Sequence, residues 1–478
     1  FTGGNAAKLG RLYPTDEEAK EIIARMSAET GDCGNVELIT CAEACDAAGG
    51  IGNFNVKVRQ VSRGVTGPVS WDEFKAAEAL CPVEVPDAFN FGISNRKALY
   101  MPHAASYPAV PAIDWEACTK CGKCGQVLKE RLNLEKKEKE IEIKAGVVIV
   151  ASGFEHYEPY EGEYGYKTLK NVVTLQQLIR MLDDKGPTGG KLPAGVKTIG
   201  FIHCVGSREL EGVKKLPGER RVNAHCSRVC CTVTLQAINE IKEKYPDANV
   251  LDFYQDIRTY GRDTELKYYD TASANGALFF RYDPRQLPEV GASGNKIKVK
   301  MKDLLSGGEE IEAEMDMLVL SAGIMPGKPG AVADKFKMPQ SADRFLQEVH
   351  PKLRPVETAI GGIFLAGTVQ APFDTTETTA VAGAAAVKAA AILEGGSVHL
   401  DPHVAFVNTE KCRGHGLCVK SCPAKGAIFM NAQNKAEVNP MLCISCGNCV
   451  AVCPERAVDV KGYEIEGFER VVEEILKK

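Results

Sequence analysis

The residues of this chain best suited to chemistry are cysteines near its end, because their spacing is that of iron–sulfur cluster ligands. The later run has the pattern C-x2-C-x2-C-x3-C-P and supplies Cys443, Cys446, Cys449 and Cys453. In such a run three thiolates from one loop bind one cubane, and the fourth thiolate crosses to a second cluster. This crossing rule predicts one complete [4Fe-4S] site, formed by Cys422, Cys443, Cys446 and Cys449.

The earlier run departs from the pattern at one position. It supplies Cys412, Cys418 and Cys422, and His415 stands where the second cysteine is expected. The crossing rule groups Cys412 and Cys418 with Cys453 in an irregular second site. Two readings stay open. Either His415 is the fourth ligand and raises the reduction potential, or it faces solvent beside a three-iron cluster.

A second set of cysteines lies in a segment punctuated by prolines. Cys118, Cys121 and Cys124 have the leading spacing of a ferredoxin run, but Leu128 stands where the fourth cysteine is expected. Upstream, only Cys81 with its following proline remains of a first run. The two losses agree under the crossing rule, because the four remaining cysteines belong to one cluster. We predict one cluster here, with a zinc ion as the alternative, since thiolates also suit zinc.

A third set has a different spacing. Cys204 ends an apolar stretch, and Cys226, Cys230 and Cys231 precede a helical pattern. The carboxyl edge of an α/β sheet is where ligands bind, and a helix N-terminus favours the negative charge of thiolates. The residues alone indicate a metal or redox site, with a redox-active disulfide as the alternative.

Alternating apolar strands and helices must position these cysteines. The patterns predict strands over 146–153, 197–204, 250–254, 317–323 and 362–367, and helices over 231–244 and 375–393. This alternation is typical of α/β proteins with mostly parallel sheets. The net charge near −5 does not indicate a basic surface of the kind that binds nucleic acid. The sequence shows no secretory signal and no apolar run long enough to span a bilayer.

The third set of cysteines lies within longer signatures. These are Cys204-Val-Gly-Ser-Arg, Cys226-Ser-Arg-Val-Cys-Cys, and the stretches 81–86, 96–100, 253–258 and 367–372. With the terminal ferredoxin runs, they resemble HdrA, the flavin-binding component of heterodisulfide reductases, and its relatives over nearly the whole chain. The resemblance implies FAD, about four [4Fe-4S] clusters in all, and a cubane near the flavin held by Cys204, Cys226, Cys230 and Cys231.

The resemblance also nominates residues for FAD, in small-residue turns and at one helix start. They are Gly3, Gly4, Asn5, Ala151, Ser152, Gly153, Ala322, Gly323, Gly367, Thr368, Thr375 and Thr376. The family's Gly-x-Gly-x-x-Gly turn should precede Gly3, and the sequence does not contain it. Either another chain supplies that unit, or the chain is truncated, or flavin is lost. Phe373 stands where a lysine is expected near the flavin.

The implied fold is α/β, a flavoprotein with two dinucleotide-binding domains, like the disulfide oxidoreductases, with inserted and C-terminal ferredoxin-like [4Fe-4S] modules. We expect the FAD-binding domain in three pieces, 1–80, 136–195 and 321–400, around an inserted one-cluster module at 81–135. The second Rossmann-like domain should cover 196–320. A two-cluster ferredoxin domain should follow at 401–460 and a helix at 461–478.

The function implied by the resemblance is electron transfer between FAD and clusters, by an oxidoreductase component that works only within a complex. Some members of the family bifurcate electrons. The implied partners are redox subunits of the HdrB, HdrC and MvhD types, in a dimer of multi-subunit protomers in the cytoplasm of an anaerobe. The alternative is a flavin-free iron–sulfur relay or scaffold, and flavin content separates the two.

Overall fold

The structure, a computed structural model, describes residues 1–262, 264–328, 330–397, 402–424 and 426–477. The predicted domain boundary between residues 400 and 401 lies outside these residues. In this part of the chain, no helix combines the length and the apolar character that crossing a membrane requires.

The strands are short outside the main sheets and are numbered here in chain order: β1 Ala42–Gly50, β2 Asn53–Val61, β3 Glu84–Pro86, β4 Asn95–Lys97, β5 Leu99–Tyr100, β6 Ala112–Ile113, β7 Glu138–Ala145, β8 Val148–Val150, β9 Phe154–His156, β10 Val172–Thr174, β11 Thr198–Val205, β12 Asn249–Tyr254, β13 Leu278–Arg281, β14 Glu289–Ser293, β15 Lys296–Asp303, β16 Glu309–Met315, β17 Met317–Ala322, β18 Ile324–Pro326, β19 Ile363–Leu365, β20 Ala405–Val407, β21 Ile428–Met430, β22 Ala436–Val438 and β23 Val458–Val460.

The α-helices are α1 Ala19–Asp32, α2 Trp71–Ala79, α3 Gly125–Leu128, α4 Leu175–Leu182, α5 Cys230–Lys244, α6 Thr271–Ala274, α7 Gly330–Lys335, α8 Thr375–Gly395, α9 Leu417–Ser421, α10 Asn448–Ala451 and α11 Ile465–Leu476. Short 3-10 turns cover Ala6–Lys8, Ala88–Asn90, Lys129–Arg131, Glu163–Gly165 and Gly367–Val369, and a π-helical turn at Glu265–Asp270 leads into α6.

The central sheet has five parallel strands in the order β10-β17-β11-β12-β13. Its middle strands β11 and β17 are almost wholly buried, as expected when both faces of a parallel sheet are covered. Helices α4 and α5 pack on it through Leu178, Leu235 and Ile238, all fully buried. The prediction of an α/β core is confirmed for this sheet.

The parallel pair β8 and β19 forms a second, much smaller sheet. Helix α8 packs against both strands. The prediction of a buried strand over 146–153 was too broad, because only Val148–Val150 is a strand and Ile149 is 42% exposed. Its partner strand β19 is fully buried, so the exposure is confined to β8.

Two antiparallel sheets, β1-β2-β7 and β14-β15-β16, were not expected from the alternation of strands and helices. Strand β15 buries every second residue, which is the pattern of a sheet with one solvated face. The expectation of mostly parallel sheets therefore holds for the core and not for these additions.

The C-terminal module is closed by the antiparallel pairs β20–β23 and β21–β22. Its core contains Ala405, Ile428, Ala436 and Val458 together with cysteines from both runs. The inserted module packs around the fully buried Leu128 in a separate core, to which Val65, Val69 and Phe74 from the preceding segment also belong. Both modules are thus small units whose cysteines belong to their packing.

Candidate redox centres

The two cysteine runs near the C-terminus meet around two small cavities. One cavity is lined by Cys412, His415, Cys418 and Cys453, and the other by Cys422, Cys443, Cys446 and Cys449. Each cavity therefore takes one cysteine from the other run, as the crossing rule predicts. Helices α9 and α10 each start after a glycine with positive φ, Gly416 (68°) and Gly447 (73°), so that the chain turns sharply beside each cavity.

The electrostatics of the thiols follow the same grouping. Burial raises the pKa of Cys449 to about 11, and the thiols of its own cavity, including Cys422, add to the rise. Burial also raises the pKa of Cys418, and Cys453 and Cys412 add to it. Because cluster ligation needs thiolates, loading of these sites must release protons.

Backbone amides point at a sulfur in each cavity. The N–H of Ala436 donates to Cys412 Sγ at 3.4 Å, and the N–H of Ala405 donates to Cys443 Sγ at 3.4 Å. Hydrogen bonds to ligand sulfurs are one of the means by which a protein sets a cluster's potential.

His415 lies in the wall of the irregular cavity. Its side chain is 45% exposed, and its Nε2 is 3.9 Å from Glu455 Oε1. A half-exposed imidazole at the cavity rim is compatible with both readings of the sequence, the fourth ligand and the solvent-facing side chain.

The inserted module brings its four predicted ligands together. Cys81, Cys118, Cys121 and Cys124 line one small cavity. Burial raises the pKa of Cys124, with Cys81 and Cys118 adding to the rise. The position that lacks its cysteine is occupied by the core side chain of Leu128. Although these four cysteines share one cavity, no three or more His, Cys, Asp or Glu side chains of the described residues are close enough together to hold a single metal ion.

The third set of cysteines is brought together by a hydrogen-bonded turn at the carboxyl end of β11. Ser207 Oγ donates to the carbonyl of His225 at 2.9 Å and accepts from the N–H of Ser227 at 3.1 Å. The N–H of Arg208 also donates to the His225 carbonyl. The turn after Cys204 therefore lies against the loop that leads into α5.

Two glycines permit this close packing. Gly206 has φ +67°, and a Cβ there would lie 2.2 Å from the ring of Tyr157. A Cβ at Gly323 would lie 2.7 Å from Ser227 Oγ. The turn after Cys204 can therefore pack on Tyr157, and the end of β17 can touch the cysteine-bearing loops, only because these two positions lack a side chain.

Cys204, Cys230 and Cys231 are buried, and Cys226 is half-buried. Burial raises the pKa of Cys204 to about 12, with Cys231 adding to the rise and Arg208 opposing it. A hydrogen bond with Cys231, together with burial, raises the pKa of Cys230 well above its usual range. The structure brings all four predicted ligands of this centre into electrostatic contact.

A buried pair lies behind this centre, and sequence reasoning missed it. His203 Nε2 is 2.7 Å from Asp252 Oδ1, and both side chains are fully buried. Burial disfavours protonation of His203, but Asp252 and Cys231 outweigh it and raise its pKa. The sequence held one sign of this pair, because His203 and Asp252 are ionisable residues within the largely apolar strands β11 and β12.

A large cavity of about 740 Å³ opens beside the third centre. Most of the residues nominated for FAD line it, namely Gly4, Asn5, Ala151, Ser152, Gly153, Ala322, Thr368 and Thr375. Gly3, Gly323, Gly367 and Thr376 are not in its wall. A Cβ on Gly3 would lie 2.8 Å from Ala7, and one on Gly367 would lie 3.2 Å from Thr378, so these glycines serve local packing.

The cavity wall also contains residues that the sequence did not single out. His156 and Gln176 lie in it, with the imidazole Nδ1 3.0 Å from the Gln176 amide Nε2. Burial, with the cation of Lys8 adding to its effect, lowers the pKa of His156 to about 3. The imidazole is therefore neutral, and Lys8 is the positive charge beside it in this wall. No local pattern marks these residues, because they come from separate segments.

The cavity fits FAD by size and by donors. Pockets for ligands of this size enclose roughly 300–1,000 Å³. The start of α8 lies in its wall, and a helix N-terminus favours the negative charge of a pyrophosphate. That helix start is fixed by a capping box, in which Glu377 N–H donates to Asp374 Oδ1 and Asp374 N–H donates to Glu377 Oε2.

The chain is similar to known proteins both in its terminal module and over nearly its whole length. Residues 405–454 match the model of a 4Fe-4S dicluster domain. An HdrA protein of Methanopyrus kandleri, an iron–sulfur component of CoB–CoM heterodisulfide reductase, is 36% identical over 99% of this chain and 71% of its own length. The corresponding protein from Methanocaldococcus jannaschii is 34% identical over 99% of this chain and 72% of its own length.

The HdrA component of the H2:CoB-CoM heterodisulfide,ferredoxin reductase of Methanothermobacter thermautotrophicus is 35% identical over 91% of this chain. The match covers 65% of that relative, so the chain spans just under two thirds of its length. Among solved structures, the thioredoxin reductase of T. acidophilum is 16% identical with a TM-score of 0.34, covering 55% of this chain and 70% of that one.

The prediction of [4Fe-4S] clusters is confirmed for the terminal module by its match to a dicluster domain, whereas the assignment of each ligand, and of FAD to the large cavity, stays a prediction. The crossed cysteine runs, the four-cysteine centre on the core sheet and the identity over nearly the whole chain agree on one conclusion. This chain belongs to the HdrA family of heterodisulfide reductase components.

Proposed function

We propose that this chain is the electron-transfer component of a heterodisulfide reductase-type complex, holding FAD in the large cavity and clusters at its four cysteine sites. FAD can exchange electrons in pairs or singly and each cluster takes one at a time, so a protein holding both can join two-electron and one-electron partners. The chain's own part is to bind, orient and insulate these groups.

The observation that carries the proposal is the double position of Cys230. It belongs to the third cysteine set and also lines the large cavity. A ligand of one redox group is therefore part of the wall around the other. Such proximity favours electron transfer between the two groups.

FAD would be held by the turn after β8, at Ala151–Gly153, and by the N-terminal segment at Gly4 and Asn5. The side-chain amide of Asn5 donates to the carbonyl of Phe154 at 2.8 Å, which fixes this segment against β9. Thr368 and Thr375 complete the wall on the α8 side. The FAD-binding domain would comprise residues 1–80, 136–195 and 321–400, and the second Rossmann-like domain 196–320.

The remaining clusters would extend the route in two directions. One lies in the module at 81–135, held by Cys81, Cys118, Cys121 and Cys124. Two lie in the terminal module at 401–460, with His415 as a fourth ligand or a bystander at the irregular site. The helix at 461–478 would follow as a docking element.

The partners we propose are further redox subunits of the HdrB, HdrC and MvhD types, in a dimeric complex in the cytoplasm of an anaerobe. A separate polypeptide carrying the glycine-rich unit is part of the same proposal. The name of the Methanothermobacter relative couples heterodisulfide and ferredoxin, and that of a Methanosarcina acetivorans relative contains ferredoxin or F420H2. Two redox partners in one name support flavin-based bifurcation, which we include in the proposal.

The test is cofactor analysis of the purified native complex. We expect stoichiometric FAD, about sixteen iron atoms on this chain for four cubane sites, and equal acid-labile sulfide. A complex with the iron but without FAD would overturn the flavin part and leave a relay or scaffold. Zinc in place of iron at the inserted module would overturn the cluster assigned there.

A further inference from the structure

One side chain, Arg228, attaches the loop of the third cysteine centre to the opposite wall of the large cavity. Its Nη1 donates to the carbonyl oxygen of Pro372 at 3.0 Å, and its Nη2 donates to Glu377 Oε1 in an ion pair. Pro372 and Glu377 lie on either side of the residue that caps α8. Arg228 therefore joins the loop between Cys226 and Cys230 to the helix start beside the cavity.

The guanidinium also lies over two aromatic rings. Its carbon is 5.3 Å from the centroid of Tyr260 and 5.7 Å from that of Phe373. Phe373 is part of the cavity wall, whereas Arg228 is behind it. The planar cation is thus held by an ion pair, a carbonyl and two ring faces, a set that a lysine could not reproduce in full.

The backbone of the same residue is directed at the cysteines. Arg228 has φ +62°, which is costly for a residue with a side chain, and its N–H donates to Cys226 Sγ at 3.4 Å. This conformation turns the amide towards the sulfur and the side chain towards α8. A strained conformation of this kind persists where the surroundings hold it.

We propose that Arg228 is a positioning residue that fixes the third cysteine centre relative to the cofactor cavity and so sets the rate of electron transfer between them. This inference rests on the proposed function. Glu377 neutralises the guanidinium charge, so the contribution of Arg228 is geometric and its field at either redox group is small. In the step concerned, one group loses one electron and the other gains it, without formation of a bond.

The experiment compares the native complex with complexes carrying Arg228→Met, Arg228→Lys or Glu377→Gln. Glutamine at position 377 preserves the capping box of α8, because glutamine can accept the same backbone bond, but it loses the ion pair. The control is Arg354→Met, which removes a solvent-exposed arginine paired with Glu357 at 2.9 Å. The readouts are FAD and iron content, the midpoint potentials of both groups, and the single-turnover rate of electron transfer followed by flavin absorbance and freeze-quench EPR.

We expect normal cofactor content, unchanged potentials and a transfer rate lowered several-fold in Arg228→Met, because the rate of electron transfer falls steeply as the distance between the two groups grows. Glu377→Gln should show the same defect, Arg228→Lys a smaller one, and Arg354→Met none.

Three results would overturn the inference. The first is an unchanged transfer rate in loaded Arg228→Met. The second is a change in midpoint potential that accounts for the slower rate, since it would show an electrostatic role. The third is an unchanged rate in Glu377→Gln, which decides the matter if Arg228→Met fails to load its cofactors. Absence of FAD from the unsubstituted complex would instead overturn the proposed function, before any variant is compared.

Discussion

The exchange of cysteines between the two terminal runs gives a sharp prediction. Cys422 is next in sequence to the ligands at Cys412 and Cys418, but it lines the cavity of Cys443, Cys446 and Cys449. Replacement of Cys422 with serine should therefore damage the later run's cluster and leave the irregular one intact. Cys453→Ser should do the opposite, although Cys453 belongs to the later run.

The magnitude follows from the ligand sets. Loss of one ligand should remove between about one iron atom, leaving a three-iron cluster, and about four, if the cluster is lost. Cysteines of both cavities belong to the same small core. The loss of iron should therefore stay confined to one site as long as the other cluster keeps the module folded.

The assay is iron and sulfide content with EPR of the reduced complex. Cys449→Ser and Cys418→Ser are the matched controls, one from each cavity. The spectrum of Cys422→Ser should match that of Cys449→Ser, and the spectrum of Cys453→Ser should match that of Cys418→Ser. If Cys422→Ser instead matched Cys418→Ser, the grouping of ligands by cavity would be wrong.

Three further predictions concern separate features. His415→Ala should change the EPR spectrum of the irregular cluster if the imidazole is a ligand, and an identical spectrum would refute ligation. Gly206→Ala should destabilise the protein by at least about 1 kcal/mol in urea denaturation, because of its positive φ and its contact with Tyr157, and equal stability would refute that packing argument. Burial alone would raise the pKa of Asp183, but hydrogen bonds, first that from Lys20, bring it below its usual value. A depressed pKa contributes stability above the unfolded pKa that is lost as pH falls below about 4, so Asp183→Asn should flatten the acid limb of a stability–pH curve, and an unchanged limb would argue against this ion pair.

Many of the candidate ligands could be predicted from the spacing of the cysteines, because spacing is a local property of the chain. A loop that must wrap a cubane fixes the offsets of its ligands, so the sets at Cys81, Cys412 and Cys443 were visible in the sequence, whereas a cubane at Cys204 was implied only by the family resemblance. The three inner strands of the central sheet were predictable for a similar reason, since strands buried on both faces have continuous apolar sequences. The edge strands β10 and β13 are shorter and were not predicted.

The remaining features depend on contacts between distant segments. His203 and Asp252 pair across two strands, and Lys8 meets His156 through the folding of the N-terminal segment onto β9. The anchor at Arg228 reaches a residue 149 positions away in the sequence. No period or spacing records such pairs, so only the folded chain reveals them.

The crossed ligand sets also govern how the terminal module can be made. With the ligand sets proposed above, the cluster that uses Cys422 would need the chain as far as Cys449, and the cluster that uses Cys412 would need it as far as Cys453. During synthesis, therefore, neither cluster can be completed while only the first run has emerged from the ribosome. A gene shortened between the two runs would yield a product with neither cluster. Iron delivery to this module must wait until the second run has been made. A module that contains its clusters therefore shows that synthesis has passed the second run.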